Sequence, residues 1–159
     1  MLLVVTDTSP VRYLVQIGQI ELLARLFAEI TLPSTVAEEL RHPSAPTAVR
    51  AWMQDLPEWV KVVTAPEGDD PMLGELDPGE RAAISLGLSL KADLILIDER
   101  KGTAVALMKG LEATGTLGVL DLAATRGLVN LREALDRLTK TNFRYRPQLI
   151  TALLAKHQN

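Results

Sequence analysis

The sequence predicts an α/β protein in which a central parallel sheet is flanked by helices and the C-terminal part is helical. Short, unbroken apolar runs, typical of strands that are buried on both faces, recur along the chain, and most are followed by a helical pattern. Such alternation implies right-handed crossovers and therefore parallel strands. With 159 residues and 47% hydrophobic residues, the chain can build one sizeable core, so we expect a single domain over 1–159.

The N-terminal half alternates strands and helices. Leu2–Thr6 is the first buried strand, and the N-cap candidates Thr8 and Ser9, followed by Pro10, predict a helix that begins directly after Asp7. The remaining elements predicted here are a helix over 19–28, a strand over 29–32, helices over 34–42 and 46–56, and a strand over 60–64.

The C-terminal half continues this alternation and then becomes helical. Residues 65–76 are rich in Glu, Gly, Asp and Pro and predict a surface loop. The elements expected after it are a helix from 77 to about 91, a strand over 94–97, and helices over 99–110, 117–126, 131–140 and 147–157. The last two helices form the C-terminal part, from about 131 to 159. Four apolar residues of the final helix recur at helical spacing and predict packing on the core: Leu149, Ile150, Leu153 and Leu154.

Composition limits the possible chemistry. The chain has no cysteine, which excludes disulfides, thiolate metal sites and cysteine nucleophiles, and its only histidines are His42 and His157. Ligands for a metal would therefore be oxygen atoms. No apolar run approaches the ~18 residues that a membrane helix needs, and no signal peptide is visible, so we expect a cytoplasmic protein that contacts no membrane.

Charge is unevenly distributed along the chain. Residues 1–120 carry 10 basic and 17 acidic side chains, whereas 121–159 carry 7 basic and 3 acidic ones. The tail is therefore a candidate basic rim that could contact a nucleic acid, although solvated helix faces often carry such charge. Six of its basic residues are Arg126, Arg132, Arg137, Lys140, Arg144 and Arg146.

Two aspartates follow apolar strands directly. Asp7 ends the first strand and Asp98 ends the strand over 94–97. Functional sites of parallel sheets lie outside the carboxyl ends of the strands, and neighbouring strand ends lie about 5 Å apart. Both aspartates could therefore share a divalent cation, since clustered carboxylates repel one another without one. Asp98 and Glu99 could instead cap the next helix.

Two glutamates near helix starts complete the acidic set. Glu39 lies three residues after Val36 and leans toward the buried stripe, whereas Glu38 is explained by a capping box with Thr35. Glu39 could also be a surface side chain with a buried stem. Glu80 could instead form a capping box with Asp77 at the start of its helix. In that case Glu75 or Asp77 could take the place of Glu80 as a metal ligand.

Four ordered segments resemble the PIN-domain family, in particular its prokaryotic subfamily with a Gly-Glu pair in the third motif. The segments are VVTDTSPVRYL, ITLPSTVAEEL, DPGERAAISLGLSLKADLILIDERKG and LEATGTLGVLDLAATRGLV. The resemblance implies a metal-dependent nuclease fold in which the family's acidic positions fall on Asp7, Glu39, Glu80 and Asp98. It also implies Mg²⁺ or Mn²⁺ as cofactor.

The function that the resemblance implies is a metal-dependent ribonuclease, as in the toxin half of toxin–antitoxin pairs. A bound cation would lower the pKa of water and neutralise charge on the phosphoryl oxygens. The implied partners are RNA, a small antitoxin protein and a second copy in a homodimer. Because aromatic residues make up only 4% of the chain, we expect a specific structured RNA rather than broad single-strand binding.

Two departures from the family pattern support an alternative, a catalytically weak PIN-like module that binds RNA or protein. The third motif has Glu80 where many active relatives have aspartate, and Thr103 stands where the subfamily often has arginine. Arg100 or Lys101 could replace that arginine. A nucleotide-binding α/β protein is disfavoured because the glycine-rich phosphate-binding motifs are absent.

Overall fold

A five-stranded parallel sheet forms the centre of the computed structural model, which describes residues 2–68 and 70–158. Its strand order is β3-β2-β1-β4-β5. The strands are β1 (Val4–Thr6), β2 (Ile30–Pro33), β3 (Val60–Val63), β4 (Leu94–Leu96) and β5 (Ala113–Thr114). This sheet and its flanking helices confirm the predicted α/β class with a parallel sheet.

Helices connect the strands and form the C-terminal part. Those before β3 are α1 (Thr8–Gln16), α2 (Leu22–Phe27), α3 (Ser34–Arg41) and α4 (Thr47–Gln54). Those between β3 and β5 are α5 (Pro71–Gly74), α6 (Pro78–Leu90) and α7 (Arg100–Met108). Those after β5 are α8 (Thr116–Thr125), α9 (Leu131–Thr139) and α10 (Pro147–Lys156).

Two elements differ from the sequence prediction. The strand β5 was not predicted, because two residues are too short to show an apolar period; it pairs in parallel with β4. The predicted loop over 65–76 contains the helix α5, whose first turn is capped where the Asp70 carboxylate accepts the amide of Met72 at 3.0 Å. Asp69, in the same segment, lies outside the described residues.

The two faces of the sheet bury two separate apolar clusters. Neighbouring strand residues point to opposite faces, so Val4 packs with α1 to α4, α8 and α9, whereas Val5 packs with α5, α6 and α7. In β4, Leu96 and Ile95 divide between the clusters in the same way. Each fully buried aliphatic side chain of this kind contributes about 1.5–3 kcal/mol to stability. Packing on both faces therefore fixes the carboxyl ends of β1 and β4 relative to the helices.

The strands β1 and β4 are neighbours, as required if Asp7 and Asp98 share a site. Thr6 is in register with Leu96, and the amide of Asp7 donates a hydrogen bond of 2.8 Å to the carbonyl of Leu96. The segments that follow β1 and β4 therefore leave the sheet at the same edge.

The final helix, α10, packs loosely on the rest of the chain. Ile150, Leu153 and Leu154 are half-buried against the core, whereas Leu149 is 50% exposed. No helix in the described part of the chain is long and apolar enough to cross a membrane.

Candidate functional site

Asp7 lies at the junction between β1 and α1 and is 6% exposed. It occupies the N-cap position of α1 in an extended conformation, so the expectation that Thr8 or Ser9 caps this helix was wrong. The pKa of Asp7 is raised to about 7, mainly by burial. The amide of Thr8 lowers this pKa, whereas the nearby carboxylates of Asp77, Glu39 and Asp98 add to the rise.

Glu39 faces Asp7 from α3. Glu38 is exposed whereas Glu39 is half-buried, which agrees with the helical geometry predicted from Val36. The hydroxyl of Thr8 donates a hydrogen bond of 2.5 Å to Glu39 Oε2. Thr8 therefore positions a carboxylate rather than capping a helix.

The capping box expected between Thr35 and Glu38 is not formed. Pro33 occupies the N-cap position of α3 and makes no side-chain cap, because the helix begins at Ser34 rather than after Thr35, as a capping box would require. The exposure of Glu38 is therefore that of an ordinary surface glutamate.

Glu80 lies in the first turn of α6 and is 6% exposed. The Asp77 side chain caps this helix by accepting a hydrogen bond of 2.9 Å from the amide of Glu80. This is the half of the predicted capping box that Asp77 contributes. Burial raises the pKa of Glu80 to about 8, and a hydrogen bond with the Asp77 carboxyl group adds to the rise. A buried, easily protonated carboxyl group thus lies beside Asp7.

Asp98 follows β4 and is tied to a different helix from the one expected. Its carboxylate accepts the amide of Thr116 at 2.6 Å and the Thr116 hydroxyl at 2.8 Å, so it caps the start of α8. Glu99, not Asp98, occupies the N-cap position of α7. Burial raises the pKa of Asp98, and the two bonds from Thr116 oppose the rise.

All four predicted carboxylates line one pocket of about 420 Å³, here called the acidic pocket. The residues that line the acidic pocket are Asp7, Thr8, Ser9, Tyr13, Glu39, Asp77, Glu80, Asp98, Glu99, Asn142, Phe143 and Arg144. The sequence did not indicate that Glu99 lines this pocket or that Thr116 binds Asp98. Glu75, named as a substitute for Glu80, instead forms an exposed ion pair of 3.0 Å with Lys101.

Three glycines give these carboxylates their space. A Cβ atom on Gly79 would stand 2.8 Å from both carboxylate oxygens of Glu39 and 3.1 Å from Asp7 Oδ1. On Gly102 it would stand 2.7 Å from Glu80 Oε2, and on Gly115 it would collide with Asp98 Oδ1. Any side chain at these positions would displace a carboxylate. From the sequence alone, only Gly79 could have been linked to the site, because it directly precedes Glu80 in the Gly-Glu pair.

The donor set fits a divalent cation such as Mg²⁺ or Mn²⁺. Hard cations prefer carboxylate oxygens, and burial together with the neighbouring acids raises the pKa of Asp7 and Glu80, so a bound cation would stabilise their ionised forms. However, no group of three or more acidic or histidine side chains among residues 2–68 and 70–158 already has the arrangement that holds a metal ion. Coordination by three of these carboxylates would therefore require a rearrangement of side chains within the acidic pocket.

The basic residues near the site divide into paired and unpaired ones. Lys101 is engaged by Glu75, and the hydroxyl of Thr103 donates 2.9 Å to the carbonyl of Glu99 within α7. Arg144, from the loop between α9 and α10, supplies a positive charge on the wall of the acidic pocket. Arg100 lines an adjoining groove.

Comparison with known proteins gives one match. A family model described as a PIN domain matches residues 3–159. No curated protein and no solved structure matches the chain.

Proposed function

Because the chain belongs to the PIN-domain family, we propose that it is a ribonuclease that hydrolyses RNA phosphodiester bonds with Mg²⁺ or Mn²⁺ in the acidic pocket. PIN domains are generally nucleases and typically use divalent metals, which supports the class of reaction. The observation that carries the proposal is the convergence of Asp7, Glu39, Glu80 and Asp98 on one pocket.

The four carboxylates would contribute to cation binding in different ways. Burial raises the pKa of Asp7 to about 7 and that of Glu80 to about 8, so the ionised forms of these two would gain most from a bound cation. Thr8 fixes one oxygen of Glu39. Thr116 fixes both oxygens of Asp98.

The chemistry of hydrolysis then divides between the cofactor and the chain. When bound, the divalent ion would supply a nucleophile at neutral pH and neutralise charge on the phosphoryl oxygens. Arg144, on the pocket wall, would hold a phosphate of the substrate and orient it toward the carboxylates.

The test is a calorimetric titration of Mn²⁺ into the wild type, Asp98→Asn and Asp121→Asn. Asp121→Asn removes the same charge outside the acidic pocket and serves as the matched control. We expect binding in the wild type and in the control, and no binding in Asp98→Asn. Loss of binding in both variants, or its persistence in Asp98→Asn, would contradict the proposed site.

A second candidate function is a catalytically weak module that binds RNA or a protein. It is favoured by the absence of a ready-made group of metal ligands among the described residues. Thr103 in place of the subfamily arginine and the longer Glu80 side chain favour it as well. No Mn²⁺ binding in the wild type would support this module and exclude the nuclease.

The biological role that we propose with the nuclease is that of a toxin neutralised by a small antitoxin, acting as a homodimer. Its support is the resemblance of the four motifs to toxin-type relatives. Co-expression with the product of a neighbouring short reading frame should suppress both growth arrest and RNA cleavage if this role is right.

A further inference from the structure

Arg144 is the only basic residue that lines the acidic pocket in the part of the chain that the structure describes. It shares this cavity with six acidic residues. Other basic residues of the tail are engaged elsewhere: Arg137 pairs with Glu133 at 2.7 Å, and Lys140 pairs with Asp136 at 3.0 Å. The position of one guanidinium group therefore decides whether a phosphate at the carboxylates meets a positive charge.

The Arg144 side chain is not held in place by an ion pair of its own. It is exposed, and it forms no ion pair with any residue of 2–68 and 70–158. A long side chain with this freedom populates many rotamers, so the region that its guanidinium group can reach is set by the backbone that carries it. That backbone is the loop over 141–146, between α9 and α10.

Tyr13 anchors this loop from α1. Its hydroxyl donates a hydrogen bond of 2.8 Å to Asn142 Oδ1. Its ring packs edge-on against the ring of Phe143, with the centroids 5.1 Å apart and the planes at 78°. Edge-to-face pairs of this kind are favourable beyond the area that they bury. Tyr13 thus contacts the two residues that directly precede Arg144.

The helix that carries Tyr13 also holds a carboxylate of the acidic pocket. At the start of α1 the hydroxyl of Thr8 donates a hydrogen bond to Glu39 Oε2. Tyr13 lies about 7.5 Å further along the axis of the same helix. Tyr13 and Phe143 are both half-buried and pack against the same core cluster. The helix α1 therefore fixes the distance between the carboxylates and the loop.

The loop itself is bonded on the side that precedes Arg144. The hydroxyl of Thr141 accepts the amide of Phe143 at 3.1 Å and donates 2.6 Å to the carbonyl of Leu138 at the end of α9. Tyr145, which follows Arg144, is 40% exposed. The anchoring contacts are therefore concentrated on the residues before Arg144, where Tyr13 meets the loop.

We propose that Tyr13 is a positioning residue: through Asn142 and Phe143 it places the Arg144 guanidinium on the wall of the acidic pocket, where it contacts the phosphate that is cleaved. This inference rests on the proposed nuclease function and deepens it by one residue. Tyr13 acts on the reaction through Arg144 rather than on the substrate.

A double-mutant cycle tests the proposal, because a residue that acts only through Arg144 has no further effect once Arg144 is removed. The variants are Tyr13→Ala, Arg144→Ala and the double variant. The measured quantities are kcat and KM for Mn²⁺-dependent cleavage of a labelled, mixed-sequence RNA transcript. The matched control is Trp59→Ala, alone and combined with Arg144→Ala. Trp59 is half-buried, forms an aromatic pair with Trp52 at 6.1 Å between centroids, and does not line the acidic pocket.

We expect Arg144→Ala to lower kcat/KM about 30-fold, as the loss of a hydrogen bond to a charged group does. Tyr13→Ala should lower kcat/KM about 10-fold in the wild type and less than about 2-fold in Arg144→Ala. Trp59→Ala should have the same small effect in both backgrounds. Tyr13→Phe should retain most of the activity, because its ring still packs against Phe143.

A second measurement follows the loop without substrate or metal. Amide hydrogen exchange in EDTA should be faster over 141–146 in Tyr13→Ala than in the wild type and in Trp59→Ala, because the loop loses its contacts with α1. Circular dichroism verifies that each variant is folded.

An equal loss of kcat/KM from Tyr13→Ala with and without Arg144 would overturn the inference, since Tyr13 would then act independently of the arginine. Unchanged hydrogen exchange over 141–146 in Tyr13→Ala would overturn it as well. Its failure differs from failure of the proposed function. A wild type that cleaves RNA only with Mn²⁺, combined with additive effects of the two variants, refutes the positioning role and leaves the nuclease intact. A wild type that neither binds Mn²⁺ nor cleaves RNA refutes the nuclease, and the inference with it.

Discussion

Asp121 and the acidic pocket show two ways in which this chain accommodates carboxylates. Asp121 on α8 lies 2.7 Å from His157 Nε2 and 2.9 Å from Lys156 Nζ at the end of α10. Partial burial raises the pKa of Asp121, but these two partners outweigh it and hold the pKa below its usual value. In the acidic pocket, burial and then the neighbouring acids raise the pKa of Asp7 to about 7 and that of Glu80 to about 8.

The opposite directions of these shifts separate a structural carboxylate from a candidate ligand. Asp121 is neutralised by groups of the same chain and fastens the loosely packed α10. When ionised, Asp7 and Glu80 instead carry a charge that a proton or an external cation must compensate. The following predictions test this distinction.

The largest expected effect is on RNA cleavage by Asp7→Asn. If Asp7 helps to hold the catalytic cation, the substitution should lower the rate by about 10³-fold, since metal ions contribute several kcal/mol to transition-state stabilisation. Asp121→Asn should leave the rate within about 2-fold of the wild type. The measurement is the initial rate of cleavage of a labelled RNA in Mn²⁺.

Contaminating ribonuclease is controlled by purifying all three proteins in parallel. A residual rate that is the same in wild type and Asp7→Asn and survives EDTA would show that the cleavage does not come from this chain. An equal decrease of the cleavage rate in Asp7→Asn and Asp121→Asn would show that cleavage does not distinguish the acidic pocket from Asp121.

Much of the site could be predicted because it lies at element boundaries. Asp7 and Asp98 end apolar strands, and the parallel topology alone brings such ends together. The preference for Glu39 over Glu38 followed from helical geometry, which depends only on residues close in sequence. These inferences required no knowledge of side-chain conformations.

Contacts between distant segments could not be predicted in this way. The bond from Thr8 to Glu39 and the two from Thr116 to Asp98 depend on how α1, α3 and α8 pack. The strand β5 escaped prediction because its two residues depend on pairing with β4 rather than on a local pattern. Gly102 and Gly115 matter because atoms of other elements, including the carboxylates of Glu80 and Asp98, reach them.

The second prediction concerns the stability of the metal-free protein as a function of pH. Asp7 ionises near 3.8 in its unperturbed state and near 7 in the fold, so the folded protein holds a proton that the unfolded chain releases between these values. The ionisation of Asp7 should therefore lower stability by an amount on the order of 4 kcal/mol as the pH rises from about 4 to 7, and Glu80, whose pKa is about 8 in the fold, should extend the fall to about pH 8. Chemical unfolding in EDTA across this range measures the change.

Mn²⁺ and Asp7→Asn should both reduce this pH dependence. The cation compensates the ionised carboxylate and raises stability most at high pH, whereas Asn cannot ionise. A slope that is identical in the wild type and Asp7→Asn would show that Asp7 is not the group that titrates.

The third prediction concerns Thr116, which holds Asp98. Thr116→Val removes the hydroxyl bond of 2.8 Å but keeps the backbone bond and the shape of the side chain. Removing a group that orients a metal ligand typically costs 10–100-fold in metal affinity, and we expect about 10-fold weaker Mn²⁺ binding by calorimetry. Thr116→Ser should restore it. Equal affinity of Thr116→Val and the wild type would assign Thr116 a purely structural role as the first residue of α8.

The smallest expected effect is on stability at Asp121, and its sign is opposite to that at Asp7. Because the pKa of Asp121 is lowered from 3.8, its stabilising contribution is present above about pH 4 and is lost as the pH falls through the folded-state pKa. Asp121→Asn should therefore cost up to about 1 kcal/mol at pH 7, as partly exposed ion pairs do, and less near pH 2. Urea unfolding at the two pH values measures the difference. If Asp121→Asn instead stabilises the metal-free protein at pH 7, as Asp7→Asn should, the direction of the pKa shift does not distinguish the two kinds of carboxylate.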